Sequence, residues 1–180
     1  MVEPKLKHRT LQFVTELDKC FYLNERAHSH DQASALVQEK ARAFLNYGSA
    51  LSALSALHRF VRDYVKYRHD PGGREEFADA HTVLSRRFDD CDGKASTVVA
   101  LAVALGKLRP EWHIEARTVP HWRLNHFAHV SAEMRYLGSD AHGRADKNGW
   151  LCSDPIVGGL EFGMTPEDGR DPKTGHITTV

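Results

Sequence analysis

The chain has 180 residues, of which 41% are hydrophobic, and it carries 24 basic and 24 acidic side chains, so its formal net charge is zero. This length and composition fit one globular domain. The balanced charge lacks the strong basic excess that is typical of nucleic-acid-binding proteins. No apolar run reaches the roughly 18 residues that a membrane span needs, and the charged segment at residues 1–8 is not followed by the apolar core of a signal peptide. We therefore expect no membrane partner, no nucleic-acid partner and no secretory signal.

The first 70 residues have helical periodicity. Phe13, Leu17 and Phe21 recur at a spacing of four, which predicts the apolar face of a first helix. Asp31 is placed to cap a second helix, which the pattern predicts over residues 32–47.

A third helix is predicted to begin at Ser49 or Ser52, because a long amphipathic segment follows these capping residues. The Asp-Pro-Gly-Gly segment at 70–73 is a strong helix breaker. A short helix is predicted after it, at residues 75–85.

The segment that begins at Cys91 is strongly helical and rich in alanine and valine, which predicts a helix packed tightly inside the core and ending at Gly106. Strand-like patterns follow at 114–119, 127–136 and 150–153. Because helices precede a small set of strands, the predicted class is α+β, with the helices packed on a small antiparallel sheet.

Three side chains stand at positions that suit nucleophilic catalysis. Cys91 lies where a polar loop enters the buried helix, His129 lies near the start of a strand, and Asp154 ends the next strand. The dipole at a helix N-terminus stabilises a thiolate, and the backbone N–H groups there can bind an oxyanion. An imidazole would take the thiol proton, and a carboxylate would orient the imidazole. His126, three residues before His129, competes for the role of base.

The other two cysteines are Cys20 and Cys152, and three cysteines without a CxxC pair do not form a disulfide framework. Cys20 is expected in the core of the first helix. Cys152 alternates with Asp154 on one strand, so it is either a core residue or a second thiol near the site.

Three acids flank the cysteine, and their negative charge is expected to raise the pKa of the Cys91 thiol. Asp89, Asp90 and Asp92 point to solvent, cap the helix or bind a cation, for which calcium is the candidate. No cofactor is required by the predicted chemistry. The 12 histidines show no compact structural-zinc spacing.

These residues lie in motifs that together resemble the bacterial transglutaminase-like cysteine protease superfamily. The segments VRDYVKYRHD, ending near Tyr67, and RRFDDCDGKASTVVALAVALG, with Asp90 and Cys91, resemble an amphipathic helix ending in tyrosine and an Asp-Cys pair that heads an Ala-rich helix. EARTV, HVSAEM from His129, and NGWLCSDP with Asp154 resemble the strands that follow. The resemblance departs at Gly93, where members often have a second acid.

The resemblance implies a papain-like fold, a Cys91–His129–Asp154 triad and acyl transfer through a thioester, with a protein or peptide amide as substrate. The resemblance also implies a transglutaminase-like core at 56–160. The length predicts one domain over 1–180, in which a helical extension at 1–55 precedes the core. The Gly, Pro, Asp and Thr content of 165–180 predicts an extended or disordered tail. The alternative is a non-catalytic assembly component, such as a phage virion protein, that binds partners through its N-terminal helices and tail. The compartment stays open between the cytoplasm and a virion.

Overall fold

A computed structural model describes residues 16–70, 76–124, 127–156 and 160–165. The helices are α1 (Glu16–Ser29), α2 (Ala35–Arg42), α3 (Ala50–Tyr64), α4 (Ala80–Arg86) and α5 (Cys91–Leu108). The strands are β1 (Lys66–Tyr67), β2 (Phe88–Asp89), β3 (Glu115–Leu124), β4 (Phe127–Arg135) and β5 (Leu151–Ser153). The class is α+β, as predicted. The predicted tail at 165–180 and the predicted break at 70–73 lie almost wholly outside the described residues.

Helix α5 forms the centre of the molecule. It is buried nearly all round, because α1, α2, α3 and α4 pack around it and the β3–β4 hairpin covers its remaining side. Small residues such as Ala95, Ala100 and Ala104 let these neighbours approach closely. The predicted end at Gly106 is wrong by two residues. Gly106 lies within the helix, and Ile114 packs against it, with the Ile114 carbonyl oxygen 3.2 Å from the position of an added Cβ.

Helix α1 buries a different face from the one predicted. Phe21 and Leu17 are 62% and 48% exposed, and Phe13 lies outside the described residues. The buried residues follow the same helical period on another face and contact α5 and β3. They are Cys20, Leu23 and Ala27. Spacing alone could not choose between these two faces, because both carry apolar residues three or four apart.

Asp31 does not cap the second helix. Its carboxylate instead accepts hydrogen bonds from Arg26 Nε at 3.2 Å and from the backbone N–H of Ala80 at 3.1 Å. Asp31 therefore joins α1 to the start of α4, which lies far away in sequence. The helix that follows Asp31 is α2, which is shorter than the predicted span of 32–47.

The caps of α3 and α4 are local. Ser49 Oγ accepts from the N–H of Ser52 at 3.2 Å, so α3 begins where the sequence predicts. Asp79 caps α4 by accepting from the N–H of Thr82 at 2.7 Å. The predicted helix at 75–85 therefore starts five residues later, at Ala80.

Strands β3, β4 and β5 form the predicted small antiparallel sheet, in that order. Strand β3 is longer than predicted, since pairing continues past Val119 to His121 opposite His129. A separate two-stranded parallel sheet, β1 with β2, was not predicted. Its second strand, β2, ends just before α5 begins.

One hydrophobic core joins these elements, with buried residues running from Cys20 on α1 to Phe162 after the sheet. The helices predicted as an N-terminal extension therefore share the core of α5. Among the described residues, no helix is both long enough and apolar enough to span a membrane.

Candidate active site

Cys91 is the first residue of α5, and its position is set by the segment that enters the helix. Asp90 caps the helix by accepting from the N–H of Asp92 at 3.2 Å. Just before this cap, Asp89 on β2 pairs with Tyr67 on β1. The parallel pair of strands therefore holds the approach to Cys91 and places Tyr67 beside it. The side chains of Tyr67 and Cys91 pack against the same small apolar cluster, which contains Ile156 and Leu160.

His129 and Asp154 form a buried pair on the neighbouring sheet. His129 Nε2 lies 2.6 Å from Asp154 Oδ2, and the two residues are 5% and 0% exposed. Ser153 pairs with Ala132, so one further step of this register puts Asp154 opposite Ser131, on the strand face that His129 shares.

A second hydrogen bond orients the Asp154 carboxylate. Its Oδ1 accepts from the N–H of Ile156 at 3.2 Å, which closes a tight turn around Pro155. Because one oxygen is held by this turn, the other faces His129.

The Cys91 sulfur contacts β4 next to His129. The backbone N–H of Val130, the residue after His129, acts on the Cys91 thiol and favours its thiolate form. The structure therefore brings Cys91, His129 and Asp154, which come from one helix and two strand ends, to one place in the molecule.

The environment of Cys91 favours the neutral thiol. Burial raises the pKa of Cys91, the charges of Asp92 and Asp90 raise it further, and the Val130 N–H lowers it. Asp90 and Asp92, two of the three flanking acids, thus raise the pKa of Cys91 as predicted. A proton acceptor beside the thiol is therefore needed before the sulfur becomes a nucleophile.

At neutral pH, iodoacetamide is expected to alkylate Cys91 faster in the Asp92→Asn variant than in the wild type. Removing the carboxylate charge lowers the pKa of Cys91, and each unit of pKa changes the thiolate fraction tenfold, so a gain of roughly 3- to 10-fold is expected. The rate is measured with iodoacetamide and mapped to each cysteine by mass spectrometry. Asp140→Asn, at an exposed position far along the chain, should leave the rate unchanged. An unchanged or slower rate in Asp92→Asn would contradict this electrostatic account.

The flanking acids do not form one cluster. The ligand atoms of Asp90, Cys91 and Asp92 lie within 4.8 Å of one another. Asp89 is held elsewhere, since its Oδ2 lies 2.6 Å from Arg86 Nη2, and burial raises its pKa to about 6. Calcium takes 6–8 oxygen ligands, and two carboxylates with a thiol do not supply that shell. Calcium binding therefore stays a prediction.

The Asp89 carboxylate explains the glycine at position 93. A Cβ added to Gly93 would overlap the carboxyl group of Asp89. The glycine at position 93 thus leaves the space that a carboxylate from β2 occupies.

The sequence offered His126 as a competing base and Cys152 as a second thiol near the site. His126 lies outside the described residues. Cys152 is buried on β5, on the strand face that it shares with Asp154 as predicted, and its sulfur lies 3.9 Å from Ser131 Oγ. Cys20 is in the core of α1, as predicted, and none of the three cysteines forms a disulfide.

Sequence reasoning did not single out a group of buried polar residues behind the pair of His129 and Asp154. Lys94, His58 and Ser153 are fully buried. A lysine in an otherwise apolar helix was the available signal for the first of them. Nothing in the local sequence marks His58 or Ser153.

Comparisons with known proteins support the fold. No protein-family model and no curated protein matches the chain. The crystal structure of a putative cysteine protease from Cytophaga hutchinsonii matches with a TM-score of 0.51 and 20% identity. The match covers 76% of this chain and 42% of the other, so the chain spans less than half the length of that protein. The likeness shows a cysteine-protease-like α+β fold.

Proposed function

We propose that this protein is a cysteine-dependent amide hydrolase of the transglutaminase-like type, with Cys91 as nucleophile, His129 as base and Asp154 as the residue that orients the base. The observation that carries the proposal is the buried His129–Asp154 pair, 2.6 Å apart, next to the backbone group that contacts the Cys91 thiol. The cysteine-protease-like fold supports the same reading. The substrate class is a protein or peptide amide.

In the proposed reaction, His129 Nδ1 takes the proton of Cys91 as the sulfur attacks the amide carbonyl carbon. Asp154 accepts the Nε2–H, which holds the ring in the tautomer that leaves Nδ1 as the base. Collapse of the tetrahedral intermediate breaks the C–N bond, and the amine leaves with the proton from His129. Water, deprotonated by His129, then cleaves the thioester and regenerates the Cys91 thiol. An amine in place of water would give acyl transfer.

The oxyanion would be bound at the start of α5. The N–H groups of Asp92 and Gly93 are bound by the carboxylates of Asp90 and Asp92. The N–H of Cys91 is therefore our candidate for the first oxyanion donor. The phenol of Tyr67, which packs with Cys91 against the same apolar cluster, is our candidate for the second.

The proposal is tested with a pool of peptides of diverse sequence incubated in water enriched in oxygen-18. Hydrolysis through a thioester places one heavy oxygen in each new C-terminus, which mass spectrometry detects. We expect labelled products from the wild type and from Cys152→Ala, the matched thiol control, and none from Cys91→Ala.

Two results would count against this function. Products that form equally with Cys91→Ala would come from another source. A wild type that releases nothing from the pool, while Cys91→Ala still assembles with the same partners as the wild type, would favour the structural role. The exposed Leu17 and Phe21 on α1 are among the described residues that suit such partners.

A further inference from the structure

A buried histidine on α3 contacts the chain on both sides of Asp154. The ring of His58 is fully buried, with Nδ1 3.0 Å from Ser153 Oγ and Nε2 3.0 Å from the carbonyl oxygen of Leu160. Ser153 directly precedes Asp154, and Leu160 follows it in the segment after β5. The proposed reaction does not use His58, whose two hydrogen bonds are therefore available to hold this segment in place.

The two partners of His58 fix the tautomer of its ring. A backbone carbonyl oxygen can only accept, so Nε2 carries a proton and donates it to Leu160. Burial lowers the pKa of His58, so the ring is neutral at neutral pH and Nδ1 carries no proton. Nδ1 therefore accepts the hydroxyl proton of Ser153. One orientation of the ring satisfies both nitrogens, as a polar group inside an apolar core requires.

The link to Ser153 bears on Asp154 because the two residues are neighbours at the end of β5. Neighbouring side chains of a strand point to opposite faces. The Ser153 hydroxyl accordingly meets α3, whereas the Asp154 carboxylate meets His129. The 2.6 Å distance between that carboxylate and His129 Nε2 leaves little room for movement of the backbone. A tether on Ser153 therefore restrains the carboxylate that follows it.

The link to Leu160 bears on the surroundings of the thiol. Leu160 belongs to the small apolar cluster against which Cys91 and Tyr67 pack. Its carbonyl oxygen also accepts from Arg62 Nη1 at 3.1 Å, and Arg62 lies one turn after His58 on α3. Two side chains of α3 thus hold the backbone of Leu160, and through it the apolar surface beside the thiol.

We propose that His58 is a positioning residue: by tying Ser153 and Leu160 to α3, its ring holds the carboxylate that follows β5 at hydrogen-bonding distance from the proposed base. The consequence for catalysis rests on the proposed function, whereas the two tethers and the pairing of His129 with Asp154 do not. His58 acts through Asp154 and is not itself a catalytic residue.

The first test compares His58→Leu, which removes both tethers, with His58→Gln, whose amide can donate to one partner and accept from the other. Proton NMR follows the His129 Nε2–H, which lies in a short hydrogen bond to a carboxylate and should resonate far downfield. Its loss in His129→Ala assigns the signal. In His58→Leu we expect this signal to broaden or move upfield, and kcat for one cleaved peptide to fall by about 100-fold with little change in KM. His58→Gln should recover most of both.

A second test does not require His58→Leu to fold. Ser153→Ala removes one tether and should weaken the downfield signal and lower kcat by about 10-fold. Ser139→Ala is the matched control, because Ser139 is also buried, and its Oγ accepts from the N–H of Tyr136 at 3.2 Å and donates to the Gly149 carbonyl oxygen at 2.7 Å. Both serine variants should unfold at a lower urea concentration than the wild type, but Ser139→Ala should keep the signal and kcat.

Three results would overturn the proposal. One is a downfield signal in Ser153→Ala that equals that of the wild type. Another is an equal loss of the signal in Ser139→Ala, which would show only a general effect of lower stability. The third is a proton on Nδ1 of His58 in the wild type, which nitrogen-15 NMR detects. Because these readouts are spectroscopic, they stand even if the protein hydrolyses no peptide, and that failure would be seen separately in the oxygen-18 experiment.

Discussion

Asp154→Asn is expected to lower the rate of peptide hydrolysis by about 10,000-fold, the scale seen when the orienting carboxylate of a triad becomes an amide. The asparagine oxygen would stay with the N–H of Ile156, which holds Oδ1 in the wild type. The amide NH₂ would then face His129 Nε2 and donate to it. The ring proton would move to Nδ1, and His129 could no longer take the proton of Cys91.

The measurement is the initial rate of oxygen-18 incorporation at saturating peptide, together with the alkylation rate of Cys91. Asp140→Asn, an exposed aspartate, serves as control and should keep both rates. The variant should remain folded, because the amide has nearly the volume of the carboxylate. Asp154→Asn with wild-type turnover would remove Asp154 from the proposed site and leave the identity of the orienting residue open.

Gly93→Ala is expected to lower the free energy of unfolding by about 3 kcal/mol, at the upper end of the range for overpacking a buried site. The added methyl group would overlap the Asp89 carboxyl group, which cannot move away easily. Arg86 Nη2 holds one carboxylate oxygen at 2.6 Å, and the N–H of Asp90 holds the other at 2.9 Å. Relieving the overlap would disturb the first turn of α5, so Cys91 alkylation should change as well.

Urea unfolding followed by circular dichroism measures this loss. Gly48→Ala, where a new Cβ would meet nothing within 4 Å, is the matched control and should stay within about 0.5 kcal/mol of the wild type. The double variant Asp89→Ala/Gly93→Ala should lose less than the sum of its two single changes, since removing the carboxylate frees the space. Additive losses would show that the two residues do not compete for one volume.

The elements that carry the candidate site were predictable because their signals are local. Alternation of apolar and polar residues marked β4 around His129, an aspartate before proline marked the end of β5, and a polar loop before an apolar helix marked Cys91. Each pattern spans only a few residues. The identity of the helix start and of the two strands therefore needed no knowledge of the rest of the chain.

Other features escaped prediction because they depend on neighbours that are distant in sequence. Strands β1 and β2 have two residues each, too few for any periodicity. The choice between Phe21 and Cys20 for the buried face of α1 was made by the positions of α5 and β3. Asp31 was free to cap α2 by its sequence position, yet the folded chain places Ala80 within its reach.

The sequence by itself determined the α+β class, the order of the five helices and of the three antiparallel strands, and the three residues from which a thiol site could be built. The tertiary structure alone decided which charges surround them. Burial and two neighbouring acids keep the Cys91 thiol neutral, and Arg86 withdraws Asp89 from the acid cluster. Electrostatic free energies depend on distance and on exclusion of water, and both are set only when remote parts of the chain pack together.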